Sequence, residues 1–298
     1  MYNGILNIYK QRDFTSNDVV QIIKRLTCSK VGHTGTLDPQ ATGILPICLG
    51  KATKLADYIM GQDKEYIAEV ILGSSTDTQD SHGNMVERSA VMADKLQILE
   101  VLSSFVGPIE QTPPMYSAIK IKGKKLYEYA RKGIEVKRKP REIDIFKLEV
   151  LNWNLETTPQ TFTIRVGCSK GTYIRTLCND IGEKLGTLAH MGHLLRSSSG
   201  DFNLHSAITL NTLKKAMEQN KIHNHLRSLE SAIGHMPRLT IKQEGEKMLL
   251  NGNKIPLKSV IEDNVQINTQ YLLYTHNGLL AGIYNAEEEI LRPKTILL

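Results

Sequence analysis

The side chain in this sequence best suited to covalent chemistry is Asp38. It lies inside Gly32-His33-Thr34-Gly35-Thr36-Leu37-Asp38-Pro39-Gln40-Ala41-Thr42-Gly43, a stretch with three glycines and one proline. Glycine reaches backbone conformations closed to other residues and proline fixes φ, so the stretch reads as a shaped loop. The apolar run Ile44-Leu45-Pro46-Ile47-Cys48-Leu49 follows and reads as a buried strand. A loop anchored on a buried strand can hold one carboxylate still, and a fixed carboxylate can act as a nucleophile. Asp-Pro is also a common turn pair, so local chemistry alone leaves a turn role open. The loop matches neither the G-x-G-x-x-G nor the G-x-x-x-x-G-K-[ST] phosphate cradle.

Other chemistries find little support. Cys28, Cys48, Cys168 and Cys178 form no C-x-x-C pair, so a zinc or redox site is not expected. Ser75 to Asn84 is a polar loop, but it fails as a calcium loop because His82 and Arg88 stand where Gly and Glu are required. His223, His225 and His235 lack acidic or thiol partners at ligand spacing. No metal and no cofactor is therefore expected. The amino terminus carries polar residues throughout and no apolar run approaches the length of a membrane span, so a cytoplasmic protein is expected.

Charge is the second signal. Residues 118–141 hold ten Lys and Arg against Glu128 and Glu135, a net +8, whereas the whole chain is +6. The remainder is slightly acidic, so the basic character is local. Tyr127 and Tyr129 lie within it and offer stacking faces. A solvated charged loop would look similar, but interleaved aromatics and a non-basic remainder favour a nucleic-acid surface.

The elements that must position these groups are legible in outline. Gly4 to Tyr9 reads as a first strand. Thr15-Ser16-Asn17-Asp18 fits a capping box ahead of Val19, Ile22, Ile23 and Leu26 at helical spacing. Thr53 is expected to cap a short helix through Met60. Strands are expected over Glu65–Gly73, near Glu142–Leu151 and over Thr161–Cys168, with a helix over Asp94–Phe105 stopped by Gly107-Pro108. Ile174, Leu177, Ile181 and Leu185 predict a helix ended by Gly186, and Asn211 to Met217 predicts a short one. From about Met236 the texture changes to short β-rich runs punctuated by Gly245, Gly252 and Gly278. The length suits two domains.

Several segments together resemble the TruB family of pseudouridine synthases. They are Gly-His-Thr-Gly-Thr-Leu-Asp-Pro at 32–39, Lys64-Glu65-Tyr66, Thr76-Asp77-Thr78-Gln79-Asp80, the Pro114 to Ala118 stretch, Ser169 to Leu177, and Ala189 to Arg196. The family's Asp-Lys-Pro-x-Gly ahead of Thr-Ser is here Tyr9-Lys10-Gln11-Arg12-Asp13, without its Pro or Gly. The resemblance implies an α+β fold, a mixed, mainly antiparallel sheet flanked by helices. It implies a catalytic domain over residues 1–235 with a basic RNA-binding insertion at about 114–141, and a small β-barrel-like PUA-like domain over 236–298. It implies isomerisation of uridine to pseudouridine at position 55 of the TΨC loop of tRNA, by base flipping and attack of Asp38 on C6 or C1′, or by removal of the 2′ proton.

By the same resemblance Asp38, Tyr66 and Arg175 are catalytic. A cation beside a carboxylate favours its charged form, and Arg175 is the candidate partner of Asp38. Tyr66 would stack on the flipped uracil or accept the C5 proton. Tyr173 and Leu194 would line the pocket, and His33 would fill the space left in the RNA stack. Lys10, Lys120, Lys124 and Arg141 are expected to bind substrate. The protein is expected to act as a monomer on tRNA, without guide RNA, protein partner or membrane.

Overall fold

The computed structural model describes residues 2–298. A ten-stranded sheet forms its centre. The leading strands are β1 (Gly4–Lys10), β2 (Val31–His33), β3 (Thr42–Leu49) and β4 (Lys64–Leu72). Across the sheet the order runs Leu226–Arg227, β1, β3, Ala189–Ser199, β4, Thr161–Cys168, Arg141–Asn154 and Gly107–Gln111. All these neighbours are antiparallel except β3 and Ala189–Ser199, which run parallel. The expected mixed, mainly antiparallel sheet is present.

Two apolar clusters flank the sheet. One packs Val19, Ile23 and Leu213 against β1 and β3; the other packs Ile98, Leu102, Leu177 and Ile181 against β4 and the strands beyond it. Tyr66 and Leu194 touch both clusters and so lie at their seam. Helix α1 (Ser16–Thr27) begins at the anticipated capping box, with Thr15 and Asp18 bonding each other's backbone. Asp94 and Gln97 make the same motif for the Lys95–Ser103 helix. That helix ends before Phe105, and Gly107-Pro108, expected only as a stop, opens the edge strand Gly107–Gln111.

Two further expectations are corrected. Thr53 is not a cap: it sits inside a 3₁₀ turn, Gly50–Leu55, and its hydroxyl donates back to the Gly50 carbonyl at 2.8 Å. The short helix that follows is Ala56–Met60. Residues 189–199, given no secondary structure on sequence, form a central strand. Their alternation is obscured by polar side chains that the surrounding core satisfies.

Beyond residue 237 a separate five-stranded sheet curls on itself, in the order Arg238–Thr240, Gln270–Tyr274, Leu280–Ala286, Ile290–Ile296, Ile255–Pro256. It encloses its own cluster around Leu239, Tyr271, Leu273 and Tyr284. Another cluster, Leu55, Ile233, Leu272, Tyr274, Leu280, Ile283 and Leu297, joins it to the rest of the chain. Among the described residues no helix is long and apolar enough to cross a membrane.

Candidate active site

The loop that carries Asp38 is tied down on both sides of that residue. Leu37 is pinned to the start of α1: its N–H donates to Ser16 Oγ at 2.9 Å, and that hydroxyl donates to the Leu37 carbonyl at 3.2 Å. The Pro39 carbonyl accepts from the Asp13 N–H at 3.0 Å and from Lys10 Nζ at 2.9 Å. Asp13 has φ of 68°. It therefore makes the left-handed turn for which the related motif uses Gly, and Asp tolerates that conformation better than most residues.

Lys10 corrects an expectation. It is wholly buried, and Nζ also donates to the Gln11 and Phe14 carbonyls at 3.0 and 2.6 Å. Burial pulls its pKa down to about 8, against the pull of Asp38 and Asp13. An ammonium closed in by three carbonyls cannot also face a phosphate. Lys10 supports the loop from beneath.

Arg175 meets Asp38 as expected. Its Nε lies 3.1 Å from one carboxylate oxygen and an Nη 3.5 Å from the other. The Arg175 side chain is 8% exposed and that of Asp38 is 40% exposed, so the cation is walled in while the carboxylate opens outward. The guanidinium is oriented by the carbonyls of Tyr116 at 2.8 Å and Thr78 at 3.1 Å, and Asp80 lies 3.8 Å away. Asp80 is in turn held by the Thr78 hydroxyl at 2.7 Å and the His82 N–H at 3.0 Å. Its contact with Arg175 was not anticipated; the Thr-Asp-Thr-x-Asp loop was the only signal.

Asp38 and Arg175 face a cavity of about 340 Å³. That falls in the roughly 300–1,000 Å³ range of small-ligand sites. Leu194 and Met191 supply apolar wall, Tyr116 and Tyr127 aromatic wall, and Gln40, Thr78, Asp80, His82 and His193 polar wall. A larger cleft of about 930 Å³ borders the C-terminal sheet, but it contains none of these residues.

Tyr66, Tyr173 and His33 are not among the residues that border this cavity. Tyr66 is part-buried at the seam, where burial raises its pKa and the neighbouring Arg196 opposes the rise. Tyr173 caps the Ile174–Lys184 helix, its backbone clamped by Gln111 through bonds of 2.7 and 3.0 Å. Burial raises its pKa too. His33 accepts from the Gly35 N–H at Nδ1, and burial with help from Arg196 lowers its pKa, so the ring is neutral. The aromatic wall comes from Tyr116 and Tyr127 instead, because the insertion folds back toward Asp38.

That insertion carries short regular elements. Lys120–Ile121 and Lys124–Lys125 form a small hairpin, followed by a helical turn, Leu126–Ala130, anchored by fully buried Leu126. Lys120, Lys124 and Arg141 are exposed, as phosphate-binding groups must be, but none borders the cavity.

Comparison with known proteins identifies the family. Residues 24–174 match the family described as TruB family pseudouridylate synthase (N terminal domain), and residues 175–234 match the tRNA pseudouridylate synthase B C-terminal domain. The tRNA pseudouridine synthase B of Bacillus pumilus is 42% identical over 309 residues, covering 100% of this chain and 98% of the relative. That of Alkaliphilus oremlandii is 46% identical over 254 residues, covering 85% and 83%. Among solved structures, a crystal structure of a Cbf5-Nop10-Gar1 complex has a chain with TM-score 0.75 and 26% identity, covering 99% of this chain and 85% of that one. A matching fold, full-length relatives above 40% identity and a family match over half its residues place this chain in the TruB family of pseudouridylate synthases, which are isomerases.

Proposed function

We propose that this protein converts uridine 55 in the TΨC loop of tRNA to pseudouridine, with Asp38 as the nucleophile. The observation that carries the reading is the Asp38–Arg175 pair, 3.1 Å apart at the wall of a cavity of about 340 Å³. The names of the full-length relatives supply the tRNA substrate.

The reaction breaks the N1–C1′ bond, turns the uracil and joins C5 to C1′. The C5 proton is lost and N1 gains one, so the net change is an isomerisation. The Arg175 guanidinium holds the Asp38 carboxylate aimed while uridine is attacked. The target base must first leave its stack, which costs a few kcal/mol. Stacking on an aromatic ring returns about 1–3 kcal/mol per base, so Tyr116 and Tyr127 offset much of that cost. The exposed Lys120, Lys124 and Arg141 add phosphate contacts, and the curled C-terminal sheet, a PUA-like unit, adds a second RNA surface. Loop shape and splayed bases, rather than helix grooves, identify such a target. The built-in basic insertion supports action as a monomer on tRNA alone, without a guide RNA.

The test is pure protein with a tRNA transcript and no partner, followed by mapping of modified uridines. The expected product is pseudouridine at position 55, absent with Asp38→Asn. Modification that survives Asp38→Asn removes the nucleophile assignment; modification only in the presence of a guide RNA removes the stand-alone reading.

A further inference from the structure

We infer that Arg196 is a positioning residue for the isomerisation: one buried guanidinium fastens both ends of the Asp38 loop to the central strand that bears Leu194, directly across from Tyr66 of β4. The inference rests on the proposed function for its meaning and on the folded chain alone for its geometry.

Arg196 lies on the central Ala189–Ser199 strand, paired with Gly43 of β3 on one side and Tyr66 of β4 on the other. It is 2% exposed and heads the fully buried large side chains. Its Nε donates to the Ile44 carbonyl at 2.7 Å and an Nη donates to the Gly35 carbonyl at 3.1 Å. These carbonyls flank the loop, one before Asp38 and one after it. Among the described residues no carboxylate lies within salt-bridge distance of Arg196. Burying an unpaired guanidinium is unfavourable, and an apolar side chain of similar size would fill the same space. What the charge adds is directed at the site. It favours the ionised form of Tyr66 against burial, and it helps hold His33 neutral.

This charge has a use at one step. Once C5 has bonded to C1′, its proton must leave. Tyr66 first gives its phenolic proton to water; the phenolate then takes the C5 proton, the C–H electron pair forms C5=C6 while the C6=N1 pair moves onto N1, and N1 takes a proton back from that water. A guanidinium beside the phenol lowers the cost of forming that phenolate, and the two carbonyl bonds keep Asp38 in register with it.

Two variants separate charge from packing. Arg196→Gln keeps a donor and removes the charge, whereas Arg196→Lys keeps the charge and loses the fork. Tyr66 ionisation is read in the free protein as the ultraviolet titration difference against Tyr66→Phe in each background. Pseudouridine formation is read on tRNA as kcat and KM. With Arg196→Gln, Tyr66 should ionise at higher pH, kcat should fall more than about tenfold, and KM should stay within about threefold. Arg196→Lys should ionise Tyr66 as the parent does and recover part of kcat. Unchanged Tyr66 ionisation in a folded Arg196→Gln overturns the inference, as does a loss confined to KM and melting temperature. If Arg196→Gln does not fold, Arg196→Lys decides: parent-like Tyr66 ionisation supports the inference and a displaced one overturns it. Because the titration needs no RNA, its failure is distinct from a failure to modify tRNA.

Discussion

At the scale of single residues, the site depends on charges held by directional bonds. Arg175 points its guanidinium at two carboxylates and two carbonyls, a pattern that a lysine cannot reproduce from one nitrogen. Arg175→Lys should therefore lower kcat by at least about 10²-fold, the usual cost of losing one well-aimed donor. Single-turnover pseudouridine formation checks this, and a loss under tenfold would show that charge alone suffices. Lys10 makes the opposite kind of prediction, about stability. Its pKa in the folded chain is about 8 against an ordinary 10.5. Between these values the unfolded chain keeps a proton that the folded chain has released, so Lys10's contribution to stability rises with pH across that window. The urea midpoint of the parent, taken relative to Lys10→Met, should climb between about pH 8 and 10.5. A flat difference would mean that the ammonium is not desolvated.

At the scale of elements, the loop and the strand it feeds are fitted to each other through backbone contact. Gly43 has φ of +108°, and a Cβ there would lie 2.2 Å from the Arg196 carbonyl oxygen. Gly43→Ala should destabilise by more than about 1 kcal/mol, because both the conformation and the space exclude a side chain. Chemical denaturation measures that, and kcat should fall with it as the loop lifts. The basic insertion behaves differently. Its hairpin and helical turn rest on Leu126 and a few backbone bonds, including Leu126 N–H to Ile119 O and Tyr127 N–H to Ser117 O. Hydrogen exchange in the free protein should show residues 118–141 opening faster than β3 and β4, and slowing when RNA binds. Uniformly strong protection would show a rigid platform instead. Lys120→Glu with Lys124→Glu should weaken RNA binding at low salt and flatten its salt dependence by about 0.7–0.9 in log–log slope per lost phosphate contact.

At the scale of the whole molecule, two sheets share one apolar junction. Leu272 is fully buried there between Leu55, Ile233 and its own sheet. Leu272→Ala should cost about 2–5 kcal/mol, the usual range for a buried leucine. Its thermal transition should stay single if the junction couples the sheets. A second, earlier transition would show that the C-terminal sheet melts on its own. Net charge acts at the same scale, with +8 in residues 118–141 set on a chain of +6 overall. RNA should thus approach by the face that bears Asp38 and Tyr127 rather than be attracted from all sides.

The sequence by itself determined the parts that local rules govern. Thr15 and Asp18 announce α1, the Val and Ile of β4 announce a strand, and the glycines and proline around Asp38 announce a held carboxylate, because each depends on neighbours in the chain. The resemblance carried Arg175 to Asp38 across 137 residues. What only the tertiary structure decided depends on long-range burial. Lys10 and Arg196 look like surface cations in sequence, yet both are buried, because carbonyls brought together from distant segments replace their water. Tyr116 and Tyr127 border the cavity because the insertion folds back toward Asp38. Side-chain type and spacing set which groups were available, and packing chose which of them meet solvent, carbonyl or carboxylate.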